Sequence, residues 1–432
     1  MNTENHGEYN VSPPSFDEKG GKPASKAAVY LSSAIVIALI AFGSAYLGAK
    51  LASVPANAQV ATPGSSSQIL SSTPTAVGNP TNTPAASLTN ETAELKPTTN
   101  MPTASPSPTA NPVISKYPDN EVVVFADKQV EDVIRQTLNK PEGNITAGDM
   151  KWITSFNYDP VNDKNATGTI TTLADLRYCV SLETLHVLHQ PVDSLEGLQE
   201  LNKLSDICIL GCSVSDLSPL AGKESLSKVW ISGNPVKDAA PVLSLPNLTE
   251  FNAYFGTGIK DISALSTSGK LRYFFCQNTL KDYTPLLRQK NLQGVTLSGV
   301  TDAFFRELLS NCKVLRSICL DHSSVKDESL SLLKGRTMYN LYFESCGLKD
   351  ISALADLGGV TDLRLGNNQI EDISALKELD VSYVVDLRNN RIKDLSPLEH
   401  MTRLENLYVT GNLFTDDSVL NKLASGGCSV YR

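Results

Sequence analysis

One short pattern recurs along most of this chain and limits what the chain can fold into. An Asp that in its clearest copies precedes Ile or Leu, Ser and a further Leu returns mostly every 21 to 23 residues, with one step of 20 and one of 25. Thr171 takes the same place one period before the first Asp. Periods of ~20 to 29 residues built on Leu and Asn are typical of leucine-rich repeats. The aligned residues are Asp193, Asp216, Asp238, Asp261, Asp282, Asp302, Asp327, Asp350, Asp372, Asp394 and Asp416.

Each position of the repeat has a physical reason. In one clear copy, Leu363 and Leu365 flank Arg364, so a strand would point both leucines inward and the arginine outward. Asn368 then stands where the chain must turn, and its amide can bond the backbone groups that the turn leaves unpaired. Because one unit cannot bury its own apolar face, the units must stack. We therefore predict an α/β solenoid over residues 161–432, a leucine-rich repeat horseshoe of about 11 to 12 repeats with a parallel sheet on its concave face.

Residues 117–160 are predicted to form a helical cap on the first repeat. Apolar residues recur at helical spacing after Asp127, which is a plausible N-cap. Thr146 and Asp149 have the spacing of a capping box and predict a second short helix. A repeat array needs such caps because its end units would otherwise expose apolar surface.

The segment before residue 117 has a different character. Residues 27–49 carry no charge and are long enough to cross a bilayer as a helix, which needs ~20 residues. More lysines precede this span than follow it, so we predict a cytoplasmic tail at 1–26, a transmembrane helix from Ala27 to Ala49, and an extracellular repeat domain. Residues 50–116 are rich in Ser, Thr and Pro and predict a disordered stalk. Cleavage after Ala58, which would release a secreted protein, is the alternative.

Catalytic and metal-binding patterns are not evident. His186 and His189 lie close in sequence, but no carboxylate or cysteine nearby completes a metal site. The formal net charge of -9 argues against binding to nucleic acid. We expect no enzyme activity, no cofactor, no metal and no nucleic-acid partner.

Eight cysteines all lie at or after Cys179. Cys208 and Cys319 are predicted to face outward on strands five steps apart, which is ~24 Å at the spacing of a sheet. A disulfide needs Cα atoms within ~7 Å, so we predict no bridge between them. Five others are predicted to be core residues, because they take Asn or apolar positions of the repeat: Cys179, Cys212, Cys276, Cys312 and Cys346.

The outward residues of the strands should form columns on the concave face. Aromatic residues gather over the third to fifth repeats, and a mixed charged zone follows toward the C-terminus. Exposed Trp, Tyr and Arg are enriched where proteins bind partners. The predicted ligand-binding residues are Trp230, Tyr254, Phe255, Tyr273, Phe275, Tyr342, Arg364, Asp386, Arg388 and Tyr408.

The repeats resemble the internalin-like leucine-rich repeats of Gram-positive bacterial surface proteins. The resemblance rests on Asp-Ile-Ser-Ala-Leu at 261, 350 and 372, on Asp-Leu-Ser-Pro-Leu at 216 and 394, and on the cap sequence. It implies a recognition or adhesion protein. The stretch from Gly299 to Leu330 looks more like the cysteine-containing repeat class, with a true helix on the convex side.

Two functions agree with these features. The first is a membrane-anchored, extracellular recognition or adhesion protein, with a monomeric repeat domain that binds a protein on its concave face. The second is an accessory or sensor protein of the cell envelope that binds peptidoglycan or another glycan. Aromatic side chains suit both ligands, so the sequence leaves the choice open.

Overall fold

The repeats build one parallel sheet that follows the order of the chain. The computed structural model describes residues 116–161, 166 and 168–432, and within them 13 strands pair each with the next, without crossover. The strands are β1 Ser155–Tyr158, β2 Thr184–Leu188, β3 Asp206–Leu210, β4 Lys228–Trp230, β5 Glu250–Ala253, β6 Tyr273–Thr279, β7 Gly294–Ser298, β8 Ser317–Asp321, β9 Thr337–Glu344, β10 Gly359–Arg364, β11 Val381–Asp386, β12 Asn406–Tyr408 and β13 Ser429–Tyr431.

Short helices return the chain from one strand to the next. Most are 3₁₀ turns, and five of these seven begin two residues after an aligned aspartate of the repeat. The α-helices are α1 Lys128–Leu138, α2 Ala147–Met150, α3 Ala240–Leu243, α4 Asp302–Asn311 and α5 Ser418–Ser425. The 3₁₀ helices are Ala174–Tyr178, Ser218–Leu220, Thr284–Arg288, Asp327–Leu333, Ser352–Asp356, Ser374–Leu376 and Ser396–Leu398.

The repeated Asp starts these return segments. The carboxylate of Asp216 accepts a hydrogen bond from the backbone N–H of Ser218 at 2.8 Å, and Asp350 does the same for Ser352 at 2.7 Å. Such a turn supplies a partner for an N–H group at the start of a helix that has none within the helix. The helix predicted in the middle repeats is confirmed as α4, whose N-cap is Thr301.

The hydrophobic core lies between the sheet and the return segments. Leu185 and Val187 of β2 are fully buried there, and so are Leu363 and Leu365, while the residues between them face the other side. Burial of a Leu side chain contributes about 1.5–3 kcal/mol relative to its exposure, so every added repeat stabilises its neighbours.

A ladder of buried asparagines closes the turn after the strands. Asn390 donates through Nδ2 to the carbonyl oxygens of Leu365 at 2.9 Å and Leu387 at 3.0 Å, while its Oδ1 accepts from the N–H of Ile370 at 3.0 Å. Asn368 and Asn412 make equivalent bonds in the repeats on either side of Asn390, and Asn234 does so after β4. Each Asn therefore joins its own turn to the turn of the preceding repeat.

Other side chains replace Asn in this ladder where the repeat is irregular. Gln190 accepts from the N–H of Ile170 at 2.8 Å and donates to the carbonyl of His189 at 2.9 Å. Cys212 and Cys346 lie near carbonyl oxygens of the same kind at 3.3 to 3.7 Å, which are weaker bonds. The predicted core position of these two cysteines, and of Cys179, Cys276 and Cys312, is confirmed by their burial.

One residue in most of these turns has a left-handed backbone conformation, and these residues form a second column beside the asparagines. His189, Gly211, Gly233 and Gly256 follow successive strands with positive φ, and the column continues through Gly299, His322, Ser345, Asn367, Asn389 and Gly411. Glycine and asparagine tolerate this conformation, whereas most L-residues are strained in it. His189 thus has a backbone role, and no group of three metal-ligating side chains occurs among the described residues.

The N-terminal cap is bonded directly to the first repeat. Asp127 caps α1 through the N–H groups of Gln129 and Val130, as predicted, and also accepts from the N–H and hydroxyl of Thr171 at 2.7 and 2.8 Å. Burial would raise the pKa of Asp127, but the hydrogen bonds from Thr171, Val130 and Thr172 lower it overall. The capping box of Thr146 and Asp149 is also present. Strand β1 lies within the segment assigned to the cap and extends the sheet into it.

The localisation predicted from the sequence needs correction. Among the residues from 116 onward that the structure describes, no helix has both the length and the apolar composition needed to cross a membrane. The single-pass membrane prediction is therefore contradicted. The segments on which it rested, the tail at 1–26, the span Ala27–Ala49 and the stalk at 50–116, lie outside the described residues apart from residue 116.

Replacement of Asn390 by Ala should destabilise the C-terminal repeats. The change leaves the buried carbonyls of Leu365 and Leu387 and the N–H of Ile370 without their partner, at a cost of about 2–3 kcal/mol in the free energy of unfolding. Chemical denaturation of the full chain, followed by circular dichroism, measures this cost. The control is Asn202→Ala, an exposed Asn in a turn, which should change stability by less than ~0.5 kcal/mol. Equal costs would show that the ladder contributes nothing specific.

A pair of glycine substitutions separates backbone strain from close packing. Gly222 and Gly233 both have positive φ, but a Cβ at Gly222 meets nothing, whereas one at Gly233 would lie 2.9 Å from the Cα of Gly211. Gly222→Ala should cost only the left-handed penalty of roughly 1–2 kcal/mol. Gly233→Ala should cost clearly more, because the turns of adjacent repeats must separate. Thermal melts of the two variants compare these costs, and a smaller loss for Gly233→Ala would refute the close approach.

Candidate functional site

The face of the sheet opposite the core, which we call the open face, carries the residues that the sequence singled out. Its central column is fixed by strand pairing: each of its residues is the register partner of the next along the sheet. Its members are Asn157, His186, Cys208, Trp230, Asn252, Phe275, Thr296, Cys319, Tyr342, Arg364, Asp386, Tyr408 and Tyr431.

Trp230 lies deeper in the open face than its outward position suggests. It is 7% exposed, and its indole N–H is hydrogen bonded to the carboxylate of Glu250 on the next strand. Burial raises the pKa of Glu250, whereas nearby Lys228 lowers it. Side chains of neighbouring strands stand only ~4.8 Å apart, so large rings are covered by the residues beside them. Trp230 therefore forms part of the floor of the open face.

Four other aromatic side chains extend the face toward solvent. The ring of Phe255 is 40% exposed and lies edge-on to Tyr254, with centroids 6.4 Å apart. Tyr273 and Phe275 are half-buried, with centroids 6.0 Å apart. Tyr273 also donates from its hydroxyl to Gln293 at 3.0 Å. Phe255, Phe275 and Tyr254 thus form the aromatic surface that a ligand could touch.

An arginine, a carboxylate and a tyrosine form one closed unit on β9 and β10. Arg364 donates to both carboxylate oxygens of Asp362 at 3.0 Å, and the hydroxyl of Tyr342 donates to Asp362 at 2.7 Å. The guanidinium carbon lies 4.7 Å from the centroid of the Tyr342 ring. Burial would lower the pKa of Arg364, but Tyr342 and Asp362 raise it overall, so the guanidinium stays charged.

A second unit of the same kind follows on β11 and β12. Arg388 donates to the carboxylate of Asp386 from Nε at 2.9 Å and from a terminal nitrogen at 2.5 Å. Its guanidinium lies 5.3 Å from the centroid of Tyr408, which stacks on Tyr431 at 4.3 Å. In both units the Asp stands two residues before the Arg, so both side chains project from the same face of the strand.

An acidic zone, defined by Asp321 and Glu344, separates the aromatic surface from the two arginine units. Asp321 accepts from the side-chain amide of Gln277 at 3.2 Å and lies 2.7 Å from the ring of His322. Burial raises the pKa of Glu344, and Asp386 and Asp321 raise it further, whereas Arg364 and Arg388 lower it. Gln277 links this zone to Tyr254, since its backbone N–H donates to the carbonyl oxygen of Tyr254 at 3.3 Å. Burial raises the pKa of Tyr254, and Cys319, Glu344 and Asp321 raise it further.

The structure brings the sequence-selected residues together in two groups. Trp230, Tyr254, Phe255, Tyr273 and Phe275 gather on β4 to β6, and Tyr342, Arg364, Asp386, Arg388 and Tyr408 on β9 to β12. Asp362 and Glu250 were missed. The repeated tripeptide Asp-Leu-Arg, at 362 and at 386, is the signal that could have identified Asp362.

The two cysteines of this face differ in exposure, since Cys208 is buried and Cys319 is partly exposed. Cys208 was expected to face outward, and it does lie in the central column, but it is 2% exposed beneath its neighbours. All eight cysteines from Cys179 to Cys428 are free thiols. Burial raises the pKa of the Cys319 thiol to about 12, which leaves it protonated and unreactive at neutral pH.

Comparisons with known proteins agree with this architecture. Residues 384–422 match a family model described as leucine-rich repeats in two copies. No curated protein sequence matches the chain. A solved structure of the internalin InlF from Listeria monocytogenes is 20% identical and covers 71% of this chain and 95% of its own, with a TM-score of 0.54.

Two further solved structures match more distantly. The functional domain of the internalin InlJ from Listeria monocytogenes is 14% identical and covers 66% of this chain and 80% of its own, with a TM-score of 0.37. The plant peptide hormone receptor RGFR1, in complex with RGF2, is 14% identical and covers 65% of this chain and 48% of its own, at 0.46. By its leucine-rich repeat match and its similarity to InlF, the chain has an internalin-like leucine-rich repeat fold.

Breaking the buried ion pair should cost much more than breaking an exposed one. Asp362→Asn leaves the charge of Arg364 buried without its counter-ion, at a cost of about 3 kcal/mol in the free energy of unfolding. Glu371 forms a surface pair with Arg391 at 3.8 Å, and Glu371→Gln should cost less than ~1 kcal/mol. Denaturant titrations of both variants at neutral pH provide the comparison. If both variants lose only a little free energy of unfolding, the charges of Asp362 and Arg364 must be well hydrated in the folded chain.

Proposed function

We propose that the open face binds a protein partner and that the chain works as a recognition protein rather than as an enzyme. The observation that carries the proposal is the aromatic surface of Phe255, Phe275 and Tyr254 beside the acidic zone. A large ring that stays 40% exposed gains nothing from solvent, whereas interfaces are enriched in such anchors.

The fixed side chains around this surface favour recognition of a defined shape. Trp230 is bonded to Glu250, and Arg364 to Asp362, so these side chains have little rotamer freedom left to lose on binding. Each side chain that would otherwise be immobilised costs a complex about 0.5–1.5 kcal/mol. A preorganised open face avoids part of that cost.

The negative charge of the acidic zone favours a protein ligand over the glycan alternative. The zone between the aromatic surface and the arginine units carries the partly buried carboxylates of Asp321 and Glu344, and burial raises the pKa of Glu344. Neutral sugars offer hydroxyl groups but no charge to such carboxylates. Basic side chains of a protein offer both hydrogen bonds and charge.

Site-specific photocrosslinking tests the proposal. We would introduce p-benzoylphenylalanine in place of Phe275 on the open face, and in a control variant in place of Leu332, which is 36% exposed on the 3₁₀ helix Asp327–Leu333. Irradiation of the producing cells, or of the full chain mixed with their extracts, should yield a protein adduct from the Phe275 position alone.

The outcomes separate the candidate functions. A protein adduct formed at Phe275 and suppressed by Tyr254→Ala would support binding at the open face. Adducts that resist protease but are removed by glycan hydrolases would favour the glycan alternative. Equal adducts from both positions, or none from Phe275, would refute recognition through this face.

A further inference from the structure

We infer that the partner presents a Lys or Arg side chain to the acidic zone, with its cationic head group between Asp321 and Glu344 and near the hydroxyl of Tyr254. This inference rests on the function proposed above and names the chemistry of the partner. Three features of the open face support it: the balance of charge, a bonding arrangement that the chain itself uses twice, and the small residues that flank the acidic zone.

Charge is not balanced within the C-terminal half of the open face. The carboxylates there are Asp321, Glu344, Asp362 and Asp386, and the guanidiniums are Arg364 and Arg388. Both guanidiniums are bonded to the carboxylate two residues before them. Within the described residues, the carboxylate of Glu344 forms neither a hydrogen bond nor an ion pair. A partner that complements this face must therefore bring positive charge.

The chain uses the same chemistry internally. Arg364 lies between Asp362 and the ring of Tyr342, and Arg388 lies between Asp386 and the ring of Tyr408. The acidic zone has the carboxylates and an aromatic neighbour, Tyr254, but its own strands supply no guanidinium. A cation from outside would complete a third unit of the same composition.

Small residues flank the acidic zone on both sides. Gly366 follows two residues after Arg364, the register partner of Tyr342, so it occupies the position beside Glu344 on the next strand. Gly366 is buried and adds no side-chain bulk there, and an added Cβ would lie 3.5 Å from Oδ1 of Asp386, in ordinary contact. On the other side of the zone Ser298 is small, and beyond it lie the half-exposed rings of Tyr254 and Phe275. The apolar stem of a Lys or Arg can lie along these rings while its head group reaches the carboxylates.

A displayed library of random 12-residue peptides, selected on the full wild-type chain, tests the inference. We expect bound peptides to be enriched in Lys or Arg and to lose affinity as NaCl is raised. For an enriched peptide, calorimetry should give an affinity loss of about tenfold for each of Glu344→Gln and Asp321→Asn, the factor expected when one charge-assisted hydrogen bond is lost.

Two further variants sharpen the result. Glu371→Gln removes an exposed carboxylate outside the face and should leave the affinity unchanged. Gly366→Arg would put the chain's own guanidinium beside Glu344 and should abolish binding of the peptide. Circular dichroism melts confirm that each variant is folded before its affinity is compared.

The outcomes distinguish the two proposals. Basic peptides that weaken with Glu344→Gln and Asp321→Asn support the inference. Peptides without Lys or Arg that bind equally to these variants, but are lost with Phe275→Ala, overturn the inference and leave the open face as a recognition surface. If the affinity of the enriched peptides is unchanged in every open-face variant, or if no peptide is enriched, both the inference and the proposed function are refuted.

Discussion

The architecture depends on how each repeat satisfies the backbone groups of the turn that follows its strand. A parallel strand that stops after three to eight residues leaves N–H and C=O groups without partners, and a buried unpaired group costs about 1–3 kcal/mol. Asn234, Asn368, Asn390 and Asn412 solve this by bonding their own turn and the preceding one together. The residue before each of these asparagines has a positive φ, whether it is Gly or Asn. This left-handed conformation keeps adjacent turns close.

This coupling of neighbouring turns has a consequence for the open face. Because the turns are stacked, the outward residues of the central column pair from strand to strand, although the register shifts after Phe275 on β6 and between Val360 and Asp362 on β10. Columns of large side chains then cover one another. Trp230, Tyr342 and Asp386 are nearly inaccessible although they point away from the core. The polar ones among them must find partners within the face, which produces the ion-pair units at Arg364 and Arg388.

Much of this fold was predictable from the sequence, because period and register are local properties. The spacing of Asp and Leu is enough to assign the strands and the central column from His186 to Tyr408, and the caps at Asp127 and Thr146 follow from known side-chain preferences. Exposure was less predictable, because it depends on contacts between strands. Nothing near Trp230 in sequence reveals that Glu250, twenty residues later, accepts its indole N–H. The membrane localisation, which rested on the apolar composition of a segment apart from the repeats, was contradicted.

The same physics explains why the two halves of the open face differ in what they can offer a ligand. Where an arginine stands two residues after an aspartate, the strand's period of two lets the pair close on itself, and the desolvation of both charges is offset internally. Two residues after Asp321 and Glu344 stand Ser323 and Cys346, so no basic residue follows either carboxylate at that spacing. Burial then disfavours the ionised form of Glu344, and a cation from outside is the group that could restore it. The unsatisfied part of the open face is thus set by which carboxylates lack an arginine two residues later on the same face of the chain.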